Sequence, residues 1–182
     1  MPILTTGGAE GADTIFAENA IKCDHEVFTL SFDGHKTKWN NKWDLTDEQL
    51  SVANPFIERA AVSLNRQTPK NKYTLKLIQR NYYQVRKAEI VIAVAPLEDQ
   101  SRVSGGTGWA VEMAKELKMP IYLYACDECS PAWYQFDYDI GQFVTTKKLP
   151  PLTERYAGIG CRKINEAGIK AIQYLYFTWS RD

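Results

Sequence analysis

The sequence has no run of like charge. Its 22 Lys and Arg offset 22 Asp and Glu, so the net charge is zero. That balance speaks against a protein that grips duplex nucleic acid by bulk electrostatics, and nucleic acid is not expected as a partner. No apolar stretch is long enough to span a bilayer, so no membrane segment is expected. The first residues, Met1-Pro2-Ile3-Leu4-Thr5-Thr6, carry no basic segment and run at once into glycines. They do not read as an export signal, and a cytoplasmic location is expected. Its four cysteines, Cys23, Cys126, Cys129 and Cys161, are then expected as reduced thiols. Cys126 and Cys129 have the spacing of a metal pair, but there is no second pair and no histidine cluster. Cys161 and His25 are the only further ligands to consider, so an ordinary loop is expected and no metal. No glycine-rich segment ends in the Gly-Lys-Ser/Thr of a phosphate loop. None completes the dinucleotide fingerprint with an acidic residue about 20 positions on. ATP hydrolysis and hydride transfer are therefore not expected, nor is a cofactor.

What is present is an ordinary globular composition, 45% hydrophobic and 24% charged over 182 residues. That length suits one domain with a real core, spanning residues 1–182. Residues 2–6 read as a short buried strand, 12–20 as a helix, and 26–31 as a second strand. Residues 32–41 read as loop. Thr46 with Gln49 forms a capping-box pattern, and a helix is expected from there to Leu64. Residues 73–87 read as a long helix with Leu77, Ile78 and Val85 on one face. Residues 90–94 (Ile-Val-Ile-Ala-Val) are continuously apolar, as in a central parallel strand covered on both faces. Loop follows to Ser104, then a helix to Leu117, and a strand at 120–125. Residues 126–151 read as irregular, with a hairpin around Asp139-Ile140-Gly141. A last strand is expected at 156–159 and a final helix, capped by Asn165, to about Phe177. This alternation predicts a Rossmann-like α/β fold: an open, mainly parallel sheet with helices on both faces.

Three expected strand-to-helix turns are rich in glycine: Gly7-Gly8-Ala9-Glu10-Gly11, Gly105-Gly106-Thr107-Gly108 and Gly158-Ile159-Gly160. Glycine lets backbone N–H groups approach a phosphate, and a helix N-terminus adds partial positive charge. In open α/β sheets such turns lie at the carboxyl ends of the strands, where ligands bind. The bland readings are equally physical. Glycine serves tight turns, Arg80 could be a solvated helix residue, and Glu112 and Asp13 lie early in helices where a carboxylate complements the dipole. Trp109 could be core, or could stack on a base beside the glycine loop.

Gly105-Gly106-Thr107-Gly108-Trp109-Ala110-Val111-Glu112 resembles the Gly-Gly-x-Gly-Thr-x-x-Glu signature of the Lonely Guy phosphoribohydrolases. Gln79-Arg80-Asn81, Glu89 and the strand at 90–94 keep the spacing of that family's Arg-Lys segment. The resemblance implies Arg80 and Glu112 as the catalytic pair. Trp109 stands where the family has threonine and Asn81 where it has lysine, and a long loop precedes the glycines where the family has almost none. Gly7-Gly8-Ala9-Glu10-Gly11-Ala12-Asp13 is closer to the wider SLOG superfamily, which includes DNA-processing protein A. It resembles phage-type members with a Ser-Gly-Gly-Ala-x-Gly-Ala-Asp loop and an Arg-Asn-x-x-Gln-Val segment, here Arg80, Asn81, Gln84 and Val85. Their first-strand Gly-Ile-Gly-Ser-Arg loop is matched at the other end, by Gly158-Ile159-Gly160-Cys161-Arg162. The chain thus looks like a circular permutant whose first strand–helix element is displaced to 153–178, with the strand at 156–159 parallel to that at 2–6.

The resemblance implies a protein that binds a nucleotide or nucleotide-derived phosphate ligand, to sense or sequester it, and that forms a homo-oligomer. The alternative it carries is an enzyme cleaving the N-glycosidic bond of a nucleoside 5'-monophosphate. Binding of single-stranded DNA is disfavoured by the absence of a basic stretch. The candidate ligand-binding residues are Gly7, Gly8, Glu10, Gly11, Asp13, Gly105, Gly106, Thr107, Gly108, Trp109, Gly158, Gly160 and Arg162.

Overall fold

The structure, a computed structural model, describes residues 1–127 and 131–181. Chain order runs β1 (Ile3–Thr6), α1 (Ala12–Lys22), β2 (Glu26–Phe32), β3 (Lys42–Leu45), α2 (Asp47–Ser51), α3 (Asn54–Leu64) and α4 (Lys72–Arg86). It continues with β4 (Ile90–Val94), α5 (Gly105–Glu116), β5 (Ile121–Ala125), β6 (Ala132–Asp137), β7 (Gln142–Thr145), β8 (Arg155–Gly160) and α6 (Glu166–Trp179). All strands join one eight-stranded sheet in the order β3-β2-β1-β8-β4-β5-β6-β7. The pairs from β3 to β5 are parallel, and β6 and β7 add an antiparallel hairpin at one edge. This is the expected Rossmann-like α/β architecture.

Side-chain alternation along β4 shows why the sheet is covered twice. Ile90, Ile92 and Val94 pack with Phe16 of α1 and with Ile172, Leu175 and Tyr176 of α6. Val91 and Ala93 point the other way, toward Val85 of α4 and Ala110, Val111 and Ala114 of α5. Both faces of a central strand are buried, so its sequence is apolar without alternation. Behind α5, a further cluster joins Ile57 and Leu64 of α3 to Ile78, Trp109 and Met113.

The C-terminal strand β8 enters the middle of the sheet. It pairs in parallel with β1 on one side (Leu4 opposite Tyr156) and with β4 on the other (Val91 opposite Ala157). Thus the strand expected beside β1 is there, although 151 residues separate Thr5 from the Tyr156 carbonyl that its hydroxyl contacts. Chain direction away from the centre reverses across β8, which makes this the switch point of the sheet.

One strand lies where no element was expected, and one expected helix needs correction. The segment after β2 contains a strand, β3, in a Lys-Trp-Asp-Leu stretch where only Leu45 is buried. An exposed edge strand needs no apolar alternation, so the pattern was silent. The helix expected from Thr46 to Leu64 is two helices. Thr46 does form the capping box, accepting from Gln49 N–H at 3.2 Å while Gln49 Oε1 accepts from Thr46 N–H at 2.8 Å. But Pro55 lacks an N–H and its ring obstructs the preceding turn, so the chain breaks at 52–53 and α3 starts anew with proline in its first turn. Among the described residues, no helix is long and apolar enough to cross a membrane.

The excursion at 95–104 folds back on itself. Leu97 bridges Val103, Glu98 N–H donates to Arg102 C=O at 2.8 Å, and Ser104 N–H donates to Pro96 C=O at 3.0 Å. Asp99 clasps the tip through the N–H groups of Ser101 and Arg102, each at 2.8 Å. The long insertion therefore returns the chain to the end of β4, and the glycines of α5 start where a short loop would have put them.

Candidate functional site

A cleft of about 510 Å³ opens where the carboxyl ends of β1, β8 and β4 meet. Ala9 comes from the turn after β1, Asp13 from the first turn of α1, Ile159 to Arg162 from the end of β8, and Ser104 to Thr107 and Trp109 from the start of α5. Pro69, Thr74, Leu77, Ile78, Arg80 and Asn81 complete the wall. The size suits a small-molecule ligand.

The glycine turns differ in what their N–H groups do. At the start of α5, Ser104 holds the N-cap position, but no side chain caps the helix. Among the described residues, no protein group accepts from the N–H of Gly105, Gly106 or Thr107. A Cβ built on Gly106 meets nothing within 4 Å, so this turn faces open space. First-turn N–H groups of a helix lack intrahelical partners and carry its partial positive charge, the arrangement that can receive an anion in a cleft.

The turn after β1 is already filled. The Asp13 carboxylate accepts from Gly7 N–H at 3.0 Å and from Gly160 N–H at 3.2 Å. Gly8 N–H donates to Thr6 Oγ1 at 3.3 Å, and Ala12 N–H to the Cys161 carbonyl at 3.1 Å. An internal carboxylate occupies the place where a bound anion would sit. Gly11 has φ +84°, and its missing side chain lets the carbonyls of Cys161 and Arg162 close in. Gly8 (φ +63°) is enclosed by Thr29, Thr37 and Trp39. Gly158 lies against Phe16 and Leu4, Gly160 against Ala12 and Val94, and Gly108 against the Val103 carbonyl. These glycines serve close packing of backbone. Glu10 is exposed and does not line the cleft.

Arg80 is buried, at 4% exposure, although it belongs to a helix. Its guanidinium donates to the Gly7 carbonyl and, at 3.3 Å, to Asn81 Oδ1. Among the described residues no group partners its buried Nε, an uncommon state for so polar a group. Burial lowers the affinity of Arg80 for its proton, and the Asp13 charge opposes this. Burial in turn raises the Asp13 carboxyl, opposed by Arg80 and the backbone N–H groups. Each charge partly offsets the burial of the other, and the two side chains meet through Gly7, not in a direct ion pair. Arg162 is exposed at the rim and adds positive charge there. Nearby His35 is held to about 4, first by burial and then by the charges of Arg80 and Lys42, so it is neutral at pH 7.

The structure does not bring Arg80 and Glu112 together. Glu112 is absent from the cleft wall, and Lys115 Nζ holds its carboxylate at 2.6 Å. Lys115 itself sits 4.6 Å over the ring of Phe136, in the β6–β7 hairpin. Trp109 and Met113 pack with residues of α3 and α4, whereas Glu112 is held by Lys115, which packs on the hairpin. Trp109 is 5% exposed, a core residue whose edge reaches the cleft.

Pro69, Thr74, Leu77 and Ile78 line the site although nothing in the sequence had marked them for it. Leu77 and Ile78 carry the signal of a helix core face, and that same apolar face makes one wall of the cleft. Cys126 is buried, and Glu128 to Ser130, including Cys129, lie outside the described residues. Among the described residues no group of His, Cys, Asp or Glu could hold a metal ion.

No protein-family model, no curated protein and no solved structure matches this chain.

Proposed function

We propose that this chain binds a nucleotide or nucleotide-derived phosphate ligand in the cleft between β1, β8 and β4, with a phosphate on the N–H groups of Gly105, Gly106 and Thr107. The uncapped, uncovered start of α5 carries this reading. The partnerless Nε of Arg80 and the rim charge of Arg162 add a positive field, and Leu77, Ile78 and Trp109 offer an apolar wall for a base. The resemblance to phage-type SLOG proteins supports the same ligand class, as does the switch-point position. In this reading the protein senses or sequesters its ligand in the cytoplasm, and a homo-oligomer would cover the exposed Ile21, Tyr174 and Phe177 on α1 and α6.

N-glycosidic hydrolysis is the weaker reading. Its glutamate, Glu112, is bound to Lys115, and the carboxylate that does line the cleft, Asp13, is spent on two backbone N–H groups. A general acid or base must reach the reacting atom. Mass spectrometry of small molecules that copurify with the protein tests the proposal. A phosphate-bearing nucleoside derivative, stoichiometric with protein, is the expected finding. A ligand without phosphate would refute the assignment.

A further inference from the structure

A phosphate on the start of α5 needs the Gly106 N–H turned toward the cleft. Two glycines in a row leave that peptide free to rotate: Gly105 has φ +64°, and neither residue has a side chain to hold it. A side chain outside the cleft fixes it instead. Arg66 Nη1 donates to the Gly105 carbonyl at 2.8 Å. A carbonyl and the N–H that follows it belong to one planar trans peptide and point in opposite directions. Gly105 and Gly106 line the cleft, and Arg66 does not. The guanidinium draws the carbonyl to its own side, which leaves the Gly106 N–H on the other.

The end of α3 puts Arg66 where it can do this. The helix stops at Leu64 and Asn65 turns left-handed at φ 52°. Asn65 N–H then donates to the Val62 carbonyl at 3.1 Å and Arg66 N–H to the Ala61 carbonyl at 2.9 Å, the two bonds of a Schellman closure. From there the guanidinium spans the base of the 95–104 excursion. Nη2 pairs with the Glu98 carboxylate and lies 3.5 Å from the Val103 carbonyl, while Nη1 takes Gly105. A rigid fork can serve several acceptors at once, and an ammonium group serves them less well. The contact also polarises the peptide, because a carbonyl that accepts from a cation makes the N–H joined to it a stronger donor. A second group faces the same cleft. Arg80 is 4% exposed, and among the described residues nothing takes its Nε.

We propose that Arg66 is a positioning residue for the anion seat, a role that rests on the phosphate reading: it holds the Gly105 carbonyl from behind and so presents the Gly106 N–H to a phosphate. The bland reading makes Arg66 half of an ion pair with Glu98, whose side chains are 23% and 34% exposed. Such pairs contribute little. The two readings part at Glu98. For an ion pair, removing either partner acts alike. For the carbonyl contact only Arg66 counts, and loss of the Glu98 charge leaves more of the cation's field for the phosphate.

The test is titration of the full-length protein with inorganic phosphate, followed through backbone amide NMR signals. In wild type, phosphate should shift the amides of Gly105, Gly106 and Thr107. Arg66→Met should weaken phosphate binding roughly 10-fold. Without phosphate it should also move the Gly106 amide signal, which a mere loss of stability would not do. Arg66→Lys, which keeps the charge, should recover part of the affinity. Glu98→Gln should bind phosphate at least as tightly as wild type. Equal affinity in Arg66→Met and wild type would overturn the positioning role and leave the phosphate seat standing. A loss in Glu98→Gln as large as that expected for Arg66→Met would also overturn it, and that result does not require Arg66→Met to fold. Unshifted amides at all three positions in wild type would instead overturn the seat itself, and the positioning role with it.

Discussion

Asp13 and Arg80 grip the two sides of one residue: the Gly7 N–H donates to the Asp13 carboxylate at 3.0 Å, and the Gly7 carbonyl accepts from the Arg80 guanidinium. A side chain on Gly7 would fall on the guanidinium itself. The turn after β1 is thus organised by two internal side chains, and among the described residues it is the start of α5 whose N–H groups no protein group takes.

Asp13→Ala is expected to cost about 3 kcal/mol or more of folding stability, because it leaves a buried guanidinium that cannot shed its charge. Urea unfolding monitored by tryptophan fluorescence checks this. A loss under about 1 kcal/mol would mean that water reaches Arg80 and compensates it.

The glycine turns should separate in mutagenesis. Gly11→Ala forces a side chain into φ +84° and onto the carbonyls of Cys161 and Arg162, so it should destabilise by roughly 2 kcal/mol or more. Gly106→Ala, facing open space, should stay within about 0.5 kcal/mol of wild type. Thermal unfolding of both variants decides it, and equal losses would contradict the division of roles.

His35 gives the stability a pH signature. Burial and neighbouring cations hold its folded pKa down at about 4, below the ordinary histidine value of about 6.5. Its neutral form is packed against Ser31 Oγ, 3.0 Å from Nδ1. As pH falls through that interval the unfolded chain binds the proton first, so stability drops, by up to about 1.4 kcal/mol per pH unit from this residue. The loss is complete at the folded pKa and absent above the unfolded one. His35→Gln should flatten the curve relative to wild type between those limits, measured by urea unfolding at several pH values. Parallel curves would show that His35 is protonated in the folded protein.

Glu112→Gln should leave ligand affinity within about 2-fold of wild type, since the carboxylate is held by Lys115 outside the cleft. Arg80→Met should lower affinity by about 10-fold or more through loss of the buried positive charge. Isothermal calorimetry with the tightest-binding common nucleoside monophosphate measures both. Equal losses in the two variants would revive the catalytic pairing of Arg80 with Glu112.

Much of the fold was legible in the sequence because its central strands have a one-dimensional signature. Residues 90–94 are apolar throughout because both faces are covered. Thr46 and Asn165 announce helix starts because their side chains accept first-turn N–H groups. The edge strand β3 left no signal, since nearly all of it faces water. The site was legible only in part, and for a physical reason. Glycine-rich spelling does not distinguish a turn that offers its N–H groups from one whose N–H groups a carboxylate six residues away has taken. Glu112 and Lys115 are within ion-pair reach by their i,i+3 spacing alone, whereas the packing of Lys115 on the Phe136 ring depends on a hairpin far along the chain.

Calorimetric titration of Gly106→Val is the most direct test of phosphate capture by the start of α5. The valine enters open space without requiring a positive φ, so the fold should persist, while its bulk covers the N–H groups. Against a panel of common nucleoside mono- and diphosphates, wild type should bind at least one. The variant should bind that ligand at least about 10-fold more weakly while unfolding at a similar temperature. Unchanged affinity in Gly106→Val, or no binding of any panel member by wild type, would contradict the claim.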